Sequence, residues 1–177
     1  MVSDRLGDHA ISCGIGGERI ARHNHCREAL LQTAQQAGLG PIREPEGLLP
    51  GSDDRPADLL IPHWSGGKDT ALDFTVVNPL QSALVGRVAE EGGVAVEHAH
   101  MVKVRKYEQR CAGEGIHFLP VAVDTLGGWH PSAGVYIIQF FWGFADPKFS
   151  HILIMQIPLF FTYSIMQTSF WKIYIQL

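Results

Sequence analysis

Cysteine is scarce: three in 177 residues, at positions 13, 26 and 111, are too few and too irregularly spaced for a disulfide scaffold. The opening MVSDRLGDHA has no apolar run of the kind a secretory signal needs. A large charge excess is missing as well. The 14 basic and 18 acidic residues leave a formal -4, so composition indicates neither a globally basic nucleic-acid binder nor a charge-driven disordered chain. No internal repeat is visible, which removes solenoids and propellers. The length leaves room for one domain and an appendage.

Charge is scarcest near the C-terminus. Of the 32 charged side chains, 29 fall in residues 1–133, and the last 44 residues hold only Asp146, Lys148 and Lys172. Residues 1–133 carry 12 basic and 17 acidic side chains, so a DNA contact there has to come from a local cationic patch. Residues 134–177 form an apolar tail with two stretches, 135–144 and 152–171. The second runs for 20 residues without Asp, Glu, Lys, Arg or His, long enough to cross a bilayer as a helix. Gln156, Pro158 and Gln167 weaken it, and Lys172 alone supplies a flanking charge. Two readings of the tail stay open. It is a membrane anchor, or it is non-coding sequence translated past a splice or frame boundary, which the poor flanks favour.

Residues 19–36 place Ile20, Ala29, Leu30, Leu31 and Ala34 among charged and amide residues, the pattern of an amphipathic helix, with Gly38 as its stop. A loop over 43–56 precedes two strands, 57–62 and 70–77, joined through Gly66-Gly67 as a hairpin. Alternation puts Asp73, Thr75 and Val77 on one face of the second strand, and Asp58 with Leu60 on one face of the first. A short helix is expected within 81–96, before Gly92-Gly93. A longer one follows over 97–112, with Lys103, Lys106, Tyr107 and Arg110 on one stripe. Residues 116–124 read as a third strand, buried except at His117, and Gly127-Gly-Trp-His130 as a turn. Gly14-Ile-Gly-Gly17 has no strand before it and no lysine after it, so it is a connector rather than a phosphate loop.

The side chains with chemistry are Asp58, Asp73 and the Lys103/Lys106/Tyr107 stripe. Two carboxylates at the adjoining ends of a hairpin can share Mg²⁺ or Mn²⁺ with substrate phosphate oxygens and water. A nearby lysine can orient the attacking water and offset charge in the transition state. From spacing alone, Asp58 as a turn former and Asp73 as a solvent-facing strand residue explain the pattern too. Arg55 either contacts a phosphate or steadies the Asp58 loop, or is merely solvated beside Pro56.

The segments Gly7-Asp-His-Ala-Ile-Ser-Cys13, Arg22-His-Asn24, Arg55-Pro-Ala-Asp58, Leu72-Asp-Phe-Thr-Val76, Lys103-Val-Arg-Lys-Tyr107 and Gly127-Gly-Trp-His130, in this order, resemble the C-terminal region of non-LTR retrotransposon reverse transcriptases. That family places a zinc knuckle ahead of a restriction-enzyme-like endonuclease of the PD-(D/E)xK class. The resemblance covers residues 5–133 and implies an endonuclease that nicks target DNA to prime reverse transcription. By the same resemblance, Asp58 and Asp73 are the metal-binding carboxylates. Lys103 or Lys106 positions water, Tyr107 supports the lysine helix, and Arg55, Arg105 and Arg110 meet DNA phosphates. Thr75 departs from the superfamily's usual lysine, whose place the resemblance moves to the following helix.

His9 and Cys13 match the last two ligands of the knuckle. The first two would lie upstream of Met1, so no stoichiometric zinc is expected and the chain reads as a gene fragment. His23 and Asn24 are expected to cap or brace the first helix against the hairpin, and Trp129 and His130 to close the domain.

The expectation is thus an α/β chain with a restriction-endonuclease-like core of helix, β-hairpin, helix and strand. Residues 1–17 are a knuckle remnant, 18–133 the endonuclease domain and 134–177 the tail. The expected partner is double-stranded DNA, with retroelement RNA reached through a missing polymerase part, in the nucleus or cytoplasm unless the tail anchors the chain to a membrane. The competing classes are a small single-pass membrane protein and an inert DNA-binding remnant.

Overall fold

The computed structural model describes residues 18–133, which form three layers, helix on sheet on helix. Helix α1 (Glu18–Gln36) leads through a short strand β1 (Ile42–Arg43) and a loop to strands β2 (Leu59–Ser65) and β3 (Lys68–Val77). Helices α2 (Val85–Glu90) and α3 (Val94–Gly113) follow, then strand β4 (His117–Asp124). The sheet order is β1-β2-β3-β4. The first three strands run antiparallel, and β4 lies parallel to β3 from Thr70↔His117 to Val77↔Asp124. A parallel neighbour requires a crossover, and α2 and α3 supply it.

The two sheet faces are built from alternate residues. Leu59 and Ile61 of β2, Leu72 and Phe74 of β3, and Leu119, Val121 and Val123 of β4 pack against Cys26, Leu30, Leu31 and Ala34 of α1. On the opposite face, Leu60, Ala71 and Phe118 meet Tyr107 and Cys111 of α3, and Ala122 meets Val96 and Ala99. Cys26 and Cys111 are free and buried, acting as small apolar residues, and burial pushes the Cys26 thiol up to about 12.

The differences from the sequence reading lie at element ends. The hairpin turn is only Gly66-Gly67, with φ of 59° and 76° that primed turns require, so β2 and β3 extend to Ser65 and Lys68. His63 sits at positive φ (53°) where the β2 register shifts, and its N–H donates to Asp69 Oδ1 at 3.0 Å. Helix α3 starts at Val94, directly after Gly93 at φ 82°. The end of the expected 43–56 loop is intact, but its first residue belongs to β1, a strand too short for alternation to reveal.

The Gly127-Gly-Trp-His130 turn folds back on β4, with Asp124 Oδ1 accepting from the N–H groups of Leu126 and Gly128, both at 2.8 Å. A Cβ at Gly128 would come within 2.4 Å of Asp124 Oδ2. His130 is buried, lies 2.8 Å from Glu97 of α3 and stacks on His100 at 3.8 Å, tying the turn to α3. Among the described residues no helix is long and apolar enough to cross a membrane. The stretches 135–144 and 152–171, together with His9, Cys13 and residues 14–17, lie outside the described residues.

Candidate active site

Asp58 is the residue before β2, and its backbone is held on both sides. Its N–H donates to Leu72 O and its carbonyl accepts from Glu44 N–H, both at 2.8 Å. The β2–β3 ladder ends at Leu59↔Leu72, so the next inward-facing donor, Phe74 N–H, lacks a strand partner. The Asp58 carboxylate takes that place, with Oδ2 accepting from Phe74 N–H at 2.6 Å. Its Oδ1 accepts from His23 Nε2 of α1 at 2.9 Å. The expected shared face with Leu60 therefore does not describe Asp58. The residue precedes the ladder, and its side chain reaches past the end of the β2–β3 ladder toward the α1 layer.

Asp73 is on the α3 face of β3 and is 6% exposed. Lys103 Nζ comes from α3 to within 2.7 Å of Oδ2 and 3.1 Å of Oδ1. Burial pushes the Asp73 carboxyl up to about 6, assisted by the negative charge of Asp58 and opposed by Lys103 and His23. The hydrogen bond to Asp58 raises the His23 imidazole above its usual value against the effect of burial. His23, Asp58, Asp73 and Lys103 thus form a row of base, acid, acid and base running across the open end of the β2–β3 ladder from one helical layer to the other.

The rest of the expected site diverges. Lys106 Nζ lies 3.3 Å from Asp54, and Arg110 reaches Asp54 Oδ2 at 2.6 Å and Ser52 Oγ at 2.9 Å. These bonds hold the Asp54 carboxyl below the usual range, and a hydrogen bond with Tyr107, joined by the one with Asp54, raises the Lys106 ammonium. Tyr107 lies between the two groups, buried against Phe118, with Lys103, Lys106 and Arg110 at 6.0, 4.6 and 5.9 Å from its ring centre. Arg55 is exposed and pairs with Glu46 at 2.8 Å. Arg105 is exposed and makes no ion pair among the described residues.

Two participants were not read from the sequence as part of the site. His23 carried a bracing expectation, which its bond to Asp58 matches, but nothing in helical spacing pairs it with that carboxylate. Asp54 gave no signal, since an acid in a loop has no periodicity. As for a metal, Asp58 and Asp73 supply oxygen donors whose mutual repulsion a divalent cation would relieve, a donor set that suits Mg²⁺. No group of three or more His, Cys, Asp or Glu is arranged around one point among the described residues. No protein-family model matches the chain, and no curated protein matches it at a meaningful level of similarity.

Proposed function

We propose that this chain is a retroelement-derived DNA endonuclease domain that hydrolyses phosphodiester bonds of double-stranded DNA with the help of a divalent cation. One observation carries the reading. Asp58, Asp73 and Lys103, 15 and 30 residues apart in sequence, converge at the end of the hairpin, with two anions coupled to each other and an ammonium on one of them. The observed order of helix, hairpin, helix and strand supports a restriction-endonuclease-like core.

In this reading, Asp58 and Asp73 would hold Mg²⁺, which when bound supplies charge neutralisation at the scissile phosphate. Lys103 orients the attacking water and meets charge that develops on the phosphate oxygens. His23 fixes the Asp58 carboxylate in place, and Tyr107 stiffens the turn of α3 that presents Lys103. Lys106, Arg110 and Arg105 lie farther along α3, where cations contact the DNA backbone and set its position without reading sequence.

The test is Mg²⁺-dependent nicking of supercoiled plasmid by the full chain. Asp58→Ala is expected to abolish it, and nicking that survives this substitution removes the assignment. A second reading, DNA binding without cutting, is favoured by the internal partners that already occupy the carboxylates: His23 and Phe74 N–H on Asp58, and Lys103 on Asp73. Salt-sensitive DNA binding with no nicking at any Mg²⁺ concentration would select it.

A further inference from the structure

A cleft of about 470 Å³ opens at the end of β3, lined by Thr75, Asn78, Leu80, Gln81, Ser82 and Ala99 among others. Its position follows from two repeats. Thr75 is two residues beyond Asp73 on the same face of β3, about 6.6 Å along the strand. Ala99 is four residues before Lys103, one turn away on the same side of α3. The cleft therefore lies one strand repeat and one helical turn from the charged pair, toward the end of β3.

Its chemistry is different from that of the pair. None of the lining residues is ionisable. Thr75 Oγ1 is enclosed and has no hydrogen-bond partner among the described residues, so its donor and acceptor capacity are both unspent. Asn78 Oδ1 is engaged with Leu80 N–H at 3.0 Å, which leaves the amide NH₂ as a donor. Gln81 and Ser82 are exposed at the rim, and Leu80 and Ala99 supply apolar surface. A neutral, partly apolar cleft with several hydrogen-bonding groups rejects a phosphate, which would lose its hydration without gaining a cation. It suits a flat heterocycle with donors and acceptors at its edge.

We infer that this cleft is a nucleobase subsite, taking the unstacked base of the nucleotide whose phosphate lies at the Asp73–Lys103 pair. The inference rests on the endonuclease reading for the placement of that phosphate, and it makes Thr75, Asn78 and Gln81 the residues that set base preference next to the cut. The energy of unstacking is least where the base is already unpaired, so single-stranded or mismatched positions enter most readily.

The experiment is an amide-resolved NMR titration of the full ¹⁵N-labelled chain with deoxynucleosides, without divalent cation, against inorganic phosphate at matched ionic strength. Deoxynucleosides are expected to shift the Thr75 backbone amide and the Asn78 and Gln81 side-chain amides, to different extents for different bases, while phosphate leaves these signals in place. Gln81→Ala and Thr75→Val are each expected to weaken this binding by about fivefold or more, the loss of one hydrogen bond. The Gln81 position is exposed, so the fold tolerates its change.

Absent shifts, or equal shifts with phosphate, overturn the subsite whatever the nicking assay gives. If Asp58→Ala leaves nicking unchanged while the deoxynucleoside shifts persist, the endonuclease reading fails and base binding stands. If Asp58→Ala abolishes nicking and the shifts are missing, the catalytic reading stands and the subsite fails.

Discussion

Asp73 with Lys103, and Asp54 with Lys106 and Arg110, are the same chemistry twice, an acid facing bases that helix α3 presents on either side of Tyr107. Their carboxyls nevertheless move in opposite directions. Asp73 is enclosed by the sheet and α3, so the cost of removing its charge from water exceeds what Lys103 returns, and its carboxyl rises to about 6. Asp54 is in an open loop where two cations bond to it at little desolvation cost, and its carboxyl falls. A cation partner by itself thus does not set the state of an acid. Enclosure decides whether the pair is a settled surface contact or a strained assembly that a further cation would relieve, and strained acids are characteristic of sites that do chemistry.

The largest expected effect separates the two lysines. If the proposed endonuclease reading holds, Lys103→Ala is expected to lower plasmid nicking by about 10²- to 10³-fold, the usual cost of deleting one group that stabilises transition-state charge. Lys106→Ala is expected to cost less than about tenfold, and to act on DNA binding and its salt dependence. Equal losses from the two substitutions would erase the distinction drawn between the assemblies.

Stability against pH sharpens it next. The Asp73 carboxyl is raised in the folded state relative to about 3.9 unfolded, so the folded chain binds the extra proton between these values and loses stability as pH climbs from about 4 to about 6. Asp73→Asn does not titrate. Its advantage over wild type should therefore grow through that window, to about 2–3 kcal/mol above neutrality, in urea denaturation of the full chain. A difference that is constant with pH would show that Asp73 is not strained.

Divalent cation provides a comparable test. Mg²⁺ at about 100 times its Kd should stabilise wild type by about 2.7 kcal/mol and leave Asp58→Ala unmoved. An equal gain in both proteins would place the cation elsewhere.

Asp54→Asn is expected to give the smallest effect and the opposite sign. A lowered folded-state carboxyl contributes stability that is present above about pH 4 and lost as pH falls further, so the substitution removes a small stabilisation at neutral pH. That contribution should fade as salt is added, because the pair is open to screening. Persistence in high salt would mark the pair as enclosed after all.

Much of the frame was legible from residue pattern. The apolar spacing of α1, the alternation in β3, and the apolar run of β4 each matched an element, and Gly66-Gly67 and Gly93 marked chain reversals whose backbone angles other residues adopt at a cost. The site was less legible. Lys103 and Lys106 are three residues apart on one helix, so helical spacing puts both on the same stripe, and only the strand packed beneath selects Lys103 for Asp73. Alternation likewise misplaced Asp58, because the rule holds inside a ladder and this residue precedes one. Two-residue β1 was too short to leave a period of any kind.

Sequence alone determined which segments could be helix or strand and which side chains could carry charge, because periodicity and backbone preference are local properties of a few neighbouring residues. The meeting of His23, Asp58, Asp73 and Lys103, and the rise of one carboxyl while another falls, were decided by the tertiary structure. Both depend on distances across the sheet and on how much water each group retains, and neither quantity exists until the layers have packed.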